Sequence, residues 1–236
     1  MRGAQRTPAD LMNLAAFPLF LVLLCGACWT LVYLDGIRLG LRDRTYAIPF
    51  WALALNFAWE LLHSVLGYQQ MGPVLQVWIN AVWFLFDCGI LYTYFRYGRQ
   101  WFPQHLRPCW FMLWSLLGLG VAFVIQHAFI AEFGRSVGGA YGAFLQNLLM
   151  SMLFIGMLVE RGGSAGQSMT IAVSKWVGTL APTILFGVLG GEGFNGPNRF
   201  ILVIGLLCSL FDLISIAILA QTKARERRGE AVAVMF

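Results

Sequence analysis

Seven windows of about twenty predominantly apolar residues follow one another along this chain, at 14–34, 46–66, 74–96, 109–131, 137–159, 169–189 and 199–221. A hydrocarbon core about 30 Å thick is crossed by a helix of about twenty residues. Within that core each backbone N–H and C=O must be paired by protein, which a helix does inside a single segment. The expected fold is therefore all-α: a single domain, residues 1–236, built as an integral membrane bundle of seven transmembrane helices. Composition agrees, since 59% of residues are hydrophobic and only 11% charged, where soluble domains carry about 25% charged. The connections are short and leave nothing for a soluble domain. The first window is too long, and too poor in a cleavage site, to read as a removable signal peptide. Any chemistry is expected in or beside the bundle.

Basic residues set the expected orientation, because Arg and Lys concentrate in cytoplasmic loops. One set of connections carries Arg38, Arg42, Arg44, Arg96, Arg99, Arg107, Arg161, Lys223, Arg225, Arg227 and Arg228, and the opposite set only Arg2, Arg6, Arg135 and Arg199. The N-terminus is expected outside and the C-terminus in the cytoplasm. The net charge of +5 then reflects topology and anionic lipid headgroups, with no nucleic-acid partner implied. Cys25 and Cys28 form a C-x-x-C inside an apolar helix, with no second pair to complete a zinc site, and read as small buried hydrophobes. Gly191 to Gly196 matches G-x-G-x-x-G in form, but no strand of a βαβ unit precedes it, so it reads as a loop.

Of the eleven acidic residues, only Glu60, Asp87 and Asp212 lie well inside the windows. A charged side chain at bilayer depth costs roughly 2.5–3.5 kcal/mol on insertion scales, so such residues face a protein interior and mark functional sites. Helical spacing adds neighbours on the same face. Asn56 and His63 sit one turn to either side of Glu60, while Gln76, Asn80, Trp83 and Asp87 repeat at four, three and four. Gln126, His127, Gln146 and Asn147 add polarity to the fourth and fifth windows. Amides also glue helices together by hydrogen bonding, and His63 reads first as a hydrogen-bonded core histidine. The acids have less reason to be there as glue. At about 1.5 Å per residue, Glu60 is expected about 6 Å to the outer side of the midplane and Asp212 about 3 Å to the inner side, flanking a cavity about 9 Å tall. Trp59 and Trp83 adjoin the acids, and an aromatic face stabilises a cation by roughly 2 kcal/mol or more where water is excluded. A neutral carboxyl group costs far less in a dry site than an ionised one. Glu60 is thus read as a Brønsted acid in an aromatic pocket, suited to starting carbocation chemistry on a lipid-soluble molecule.

Seven windows in 236 residues, the run Asn56-Phe57-Ala58-Trp59-Glu60 in the second and a lone Asp212 in the seventh resemble the small integral-membrane terpene cyclases of meroterpenoid and indole-terpenoid biosynthesis. The resemblance implies catalytic roles for Glu60 and Asp212. It also implies a prenylated aromatic substrate of indole or phenol type, entering from the bilayer, whose terminal epoxide or alkene is protonated before ring closure. The surroundings of the acids make Asn56, Trp59, His63, Asn80, Trp83 and Asp87 the expected substrate-binding residues. Neither D-D-x-x-D nor D-x-D-D occurs in the sequence, so no metal and no cofactor is expected. The Arg-rich loops and Gly/Ala-rich composition suggest a bacterial cell membrane. Competing readings are a proton-coupled transporter or ligand-binding seven-helix protein using the three acids, and an ether-lipid hydrolase. A retinal protein needs a lysine deep in its last span, and the only lysines are Lys175 and Lys223.

Overall fold

The computed structural model describes residues 8–191 and 193–230, with side chains from residue 16 onward; Arg2, Arg6 and the second position of the Gly191 to Gly196 run lie outside the described residues. The described chain is helical: α1 (Pro8–Arg42), α2 (Phe50–Met71), α3 (Leu75–Tyr97), α4 (Pro108–Arg161), α5 (Met169–Pro182) and α6 (Arg199–Arg227), with a 3-10 turn at Gly98–Trp101 and a π-helical turn at Thr183–Leu189. Local signals set several of these ends. Pro49 precedes α2, and Gly72 closes it with φ of 73°. Ser168 and Asn198 cap α5 and α6, their side chains accepting hydrogen bonds from the amides of Ile171 and Ile201, which pairs one otherwise orphaned donor in each first turn. Five of the described helical stretches are long and apolar enough to cross a membrane: Ala16–Arg42, Leu75–Trp101, Pro108–Arg161, Met169–Leu189 and Arg199–Arg227. α2, diluted by Asn56, Glu60 and His63, is not one of them; it packs against α3 and α4.

The windows 109–131 and 137–159 lie together in α4, whose 54 residues would reach about 81 Å if straight. They do not run straight. Gly134 has φ 75° and ψ 164°, a conformation open essentially to glycine, and there the chain turns back. Gln126 in the limb 108–133 donates to Gln146 in the limb 135–161 at 2.6 Å, although a straight helix would hold them about 30 Å apart. α1 packs on α5 and α3, and α6 on α4 and α5. Leu23, Leu75, Leu85 and Val124 point outward and exposed, as expected where the surrounding solvent is lipid.

At one end of the bundle the connections are tied to each other. Gln100 donates to the Arg44 carbonyl and Trp101 to the Thr45 hydroxyl. Arg161 donates to the Tyr46 carbonyl at 2.9 Å and lies over the rings of Tyr46 and Trp101. Asp43 accepts from the Gly166 amide and Glu226 from the Ser164 amide. This end gathers the connections that carry most of the basic residues. At the other end, Arg135 donates to Gln70 at 2.8 Å and Asn198 to Tyr141 at 3.0 Å.

Candidate active site

Toward the end marked by Arg135, a cavity of about 370 Å³ opens among α1, α2, α3, the second limb of α4 and the Pro182 region. Proline has no N–H to give to the helix ladder. After Pro182 the chain widens into its π-helical turn, and Pro182, Leu185 and Phe186 all line the cavity. Asn56, Trp59, Glu60 and His63 reach it from α2, and Asn80 and Trp83 from α3. The two indoles are held by their N–H groups: Trp59 donates to the Gly139 carbonyl at 2.8 Å and Trp83 to the Thr30 hydroxyl at 3.2 Å. His63 stacks on Trp59 with centroids 4.1 Å apart, and its Nδ1 lies 2.9 Å from the Trp59 carbonyl. A Cβ at position 139 would collide with the His63 ring, so the stack depends on glycine there.

Behind the cavity wall lies a chain of buried hydrogen bonds. Gln126 donates to Gln146, and Gln146 to the Asn56 carbonyl oxygen at 2.9 Å. The Asn56 amide donates both its hydrogens, to the Tyr33 hydroxyl at 2.7 Å and to Asp87 Oδ2 at 2.8 Å. Tyr33 in turn lies 3.3 Å from Glu60 Oε1. Glu60 is 2% exposed and Asp87 fully buried. Their partners explain how α2 tolerates a carboxyl group: six polar side chains are linked by hydrogen bonds, leaving one oxygen each of Glu60, Asp87 and Gln126 without a partner among the described residues, and desolvation is shared across the network.

Asp212 is elsewhere. Its carboxylate pairs with Lys175 Nζ at 2.8 and 3.1 Å, and Lys175 also donates to the Ser151 hydroxyl at 2.7 Å. Lys175 is 1% and Asp212 3% exposed. They border a narrow cleft of about 10 Å³ with Phe154 and Ser215, and Asp212 does not line the larger cavity. The expected pair of acids facing each other across one cavity is therefore not formed: a buried lysine takes Asp212 as its counter-ion, as an unpaired ammonium there would be costly. One turn before Ser151 on α4, and one turn after Lys175 on α5, Asn147 and Thr179 do line the cavity, so the ion pair sits beneath its floor.

Residues 3–189 match the family model of Pyr4-like transmembrane terpene cyclases. The chain belongs to this family. Among its curated relatives, the Pyr4-family terpene cyclase mfmH of Annulohypoxylon moriforme is 30% identical over 169 residues, 70% of this chain and 68% of that protein. Terpene cyclase pyr4 of Aspergillus fumigatus is 27% identical over 235 residues, 94% of each chain, and terpene cyclase dpchB of Colletotrichum higginsianum is 32% identical over 161 residues, 67% of this chain and 65% of the other. No solved structure matches. These relatives are fungal, which gives the expected bacterial membrane no support.

In this terpene cyclase, the cavity brings together six of the eight residues expected from the sequence: Asn56, Trp59, Glu60, His63, Asn80 and Trp83. Asp87 is joined to them through Asn56, and Asp212 stands apart with Lys175. The segment matched to the family model includes Glu60 and ends before α6. Tyr33 was not expected, and Gln146 was noted only as a polar residue of the fifth window. Helical spacing alone does not say which neighbouring helix either one meets. Lys175 carried a usable signal, because a lysine inside an apolar span needs a buried acid to pair with.

Proposed function

We propose that this membrane terpene cyclase protonates the terminal epoxide or alkene of a prenylated aromatic compound and directs the resulting carbocation through ring closure, with Glu60 as the acid. The observation that carries the reading is a carboxyl group 2% exposed on the wall of a cavity of about 370 Å³ among Trp29, Trp59, Trp83 and Phe144. In such a dry site a neutral carboxyl group is a strong enough proton donor only where the cation it creates is stabilised. Aromatic faces do this at roughly 2 kcal/mol or more per well-placed ring when desolvated. The proton passes from Glu60 to the epoxide oxygen or the alkene carbon, π bonds of the chain close onto the cation, and a carbon-bound proton is given up at the end to restore the Glu60 carboxyl group, so substrate and product are isomers.

Asn80 and Gln76, at the cavity's polar end with Arg135, suit the aryl head of the substrate. The apolar remainder suits its prenyl chain, delivered from the bilayer. Asp212 enters this reading through Lys175, as the counter-ion that keeps the floor of the cavity folded and neutral. Seven membrane crossings, counting the two limbs of α4 separately and including α2, with the N-terminus outside and the basic end in the cytoplasm, complete the proposal; the clustering of basic connections at one end supports it.

The test is to incubate membranes bearing the protein with farnesylated and geranylgeranylated indoles and phenols, with and without a terminal epoxide, and to analyse the products. An isomeric cyclised product is expected, and Glu60→Gln is expected to lower its formation by at least about 100-fold, the contribution of a general acid, at unchanged membrane insertion. Near-normal product from Glu60→Gln would overturn the assignment.

A further inference from the structure

Counting hydrogens in the network behind the cavity shows which oxygen of Glu60 is already engaged. The Asn56 amide has two hydrogens, and both are used, on the Tyr33 oxygen at 2.7 Å and on Asp87 Oδ2 at 2.8 Å. Its orientation is not arbitrary, since its carbonyl oxygen accepts from Gln146, whose own oxygen accepts from Gln126. Flipping Asn56 would set amide hydrogens against amide hydrogens. Tyr33 therefore receives a hydrogen from Asn56 and has one of its own to give. The acceptor in reach is Glu60 Oε1 at 3.3 Å. In the neutral acid of the proposed function the carbonyl oxygen is the better acceptor, which assigns it to Oε1. Oε2, itself buried and with no hydrogen-bond partner among the described residues, is left as the hydroxyl, on a side chain that lines the cavity.

We infer that Tyr33 is a positioning residue for the cyclisation: it presents the Glu60 proton on Oε2 to the substrate and stabilises the carboxylate formed when that proton leaves. This rests on the reading of Glu60 as the acid and adds the residue that orients it. The length of the Tyr33–Glu60 contact is part of the argument. A separation of 3.3 Å is long for a hydroxyl donor, and such bonds shorten and strengthen when the acceptor becomes charged. The interaction is thus weak in the resting enzyme and strong at the transition state, which is the condition for accelerating the chemical step rather than tightening binding. The donor is also rigid. The Tyr33 ring is 2% exposed and packed against Trp29, Trp83 and Phe86 at centroid distances of 6.3, 5.9 and 6.0 Å, and Asn56 donates to its oxygen, polarising its O–H.

Tyr33→Phe tests this, because it keeps the ring and its packing and removes only the hydroxyl. The full-length enzyme in liposomes is expected to lose 10- to 100-fold in kcat with KM within about twofold of the parent. A second measurement does not require turnover. In the infrared spectrum the C=O stretch of protonated Glu60, identified as the band lost in Glu60→Gln, is expected to move to higher wavenumber in Tyr33→Phe, as Oε1 loses its donor. A band at the same wavenumber in Tyr33→Phe, or an unchanged kcat, overturns the role given to Tyr33 while leaving Glu60 as the acid. If Glu60→Gln removes no protonated-carboxyl band and retains activity, the reading of Glu60 itself fails.

Discussion

The buried ion pair beneath the cavity makes a quantitative expectation about Asp212. At 2.8 Å, opposite unit charges attract by about 6 kcal/mol at an effective dielectric of about 20, against a desolvation cost of several kcal/mol for each ion. Removing one partner abolishes the attraction but leaves the other ion buried. With side chains only 2% and 4% exposed, neither Lys175 nor Asp212 has water to fall back on, and Ser151 alone cannot replace a carboxylate. Asp212→Leu and Lys175→Met are each expected to destabilise the protein by about 3–5 kcal/mol. At about 2–4 °C per kcal/mol for a chain of this size, that is a thermal midpoint lowered by roughly 6–20 °C. The double variant Lys175→Met/Asp212→Leu fills similar volume with no charge left unpaired and is expected to regain most of the loss, with a coupling energy of about 2 kcal/mol or more. Thermal unfolding of the detergent-solubilised variants by tryptophan fluorescence measures the cycle, and product formation measured alongside it separates folding from chemistry. If Asp212 acts only as a counter-ion, turnover returns with stability. A double variant no more stable than the weaker single would refute the reasoning from desolvation, and one that refolds without turnover would give the Asp212 carboxylate a direct part in the reaction.

Two further outcomes follow from particular contacts. Gly139→Ala forces a methyl group against His63 and so displaces the Trp59–His63 stack from the cavity wall; an overpacking cost of about 1–3 kcal/mol is expected, with kcat/KM reduced more than stability accounts for, and parent-like melting and kinetics would show that the stack yields freely. Outside the membrane-spanning segments, the hydrogen bonds from Arg42, helped by the Gly166 amide, hold Asp43 below the usual carboxylate range. Its contribution to anchoring the 161–168 connection is therefore complete above the unfolded value of about 3.9 and is lost as pH falls through the lower folded value. Limited proteolysis of that connection is expected to rise on acidification in the parent and to be raised already at neutral pH in Asp43→Asn.

What the sequence determined by itself was whatever depends on solvent and on one helix at a time. Long apolar windows require helices in lipid because a single segment there pairs its own backbone only as a helix, and the rarity of acids within them singled out Glu60, Asp87 and Asp212. Spacing along α2 and α3 placed Asn56, Glu60 and His63, and likewise Asn80, Trp83 and Asp87, on shared faces; the cavity and its network collect them as that spacing implied. The break at Gly134 was less legible, since α4 continues as helix on both sides and only its conformation, with φ of 75°, shows that the limbs fold back. Partner choice was not legible at all. Glu60 and Asp212 are both acids well inside apolar windows, but Tyr33 from α1 and Lys175 from α5 reach them through space. Those contacts depend on the rotation and depth of each helix against its neighbours, which a one-dimensional pattern does not carry. Tertiary packing therefore decided which acid faces an open cavity with an oxygen left unpaired, and which is neutralised by a buried lysine.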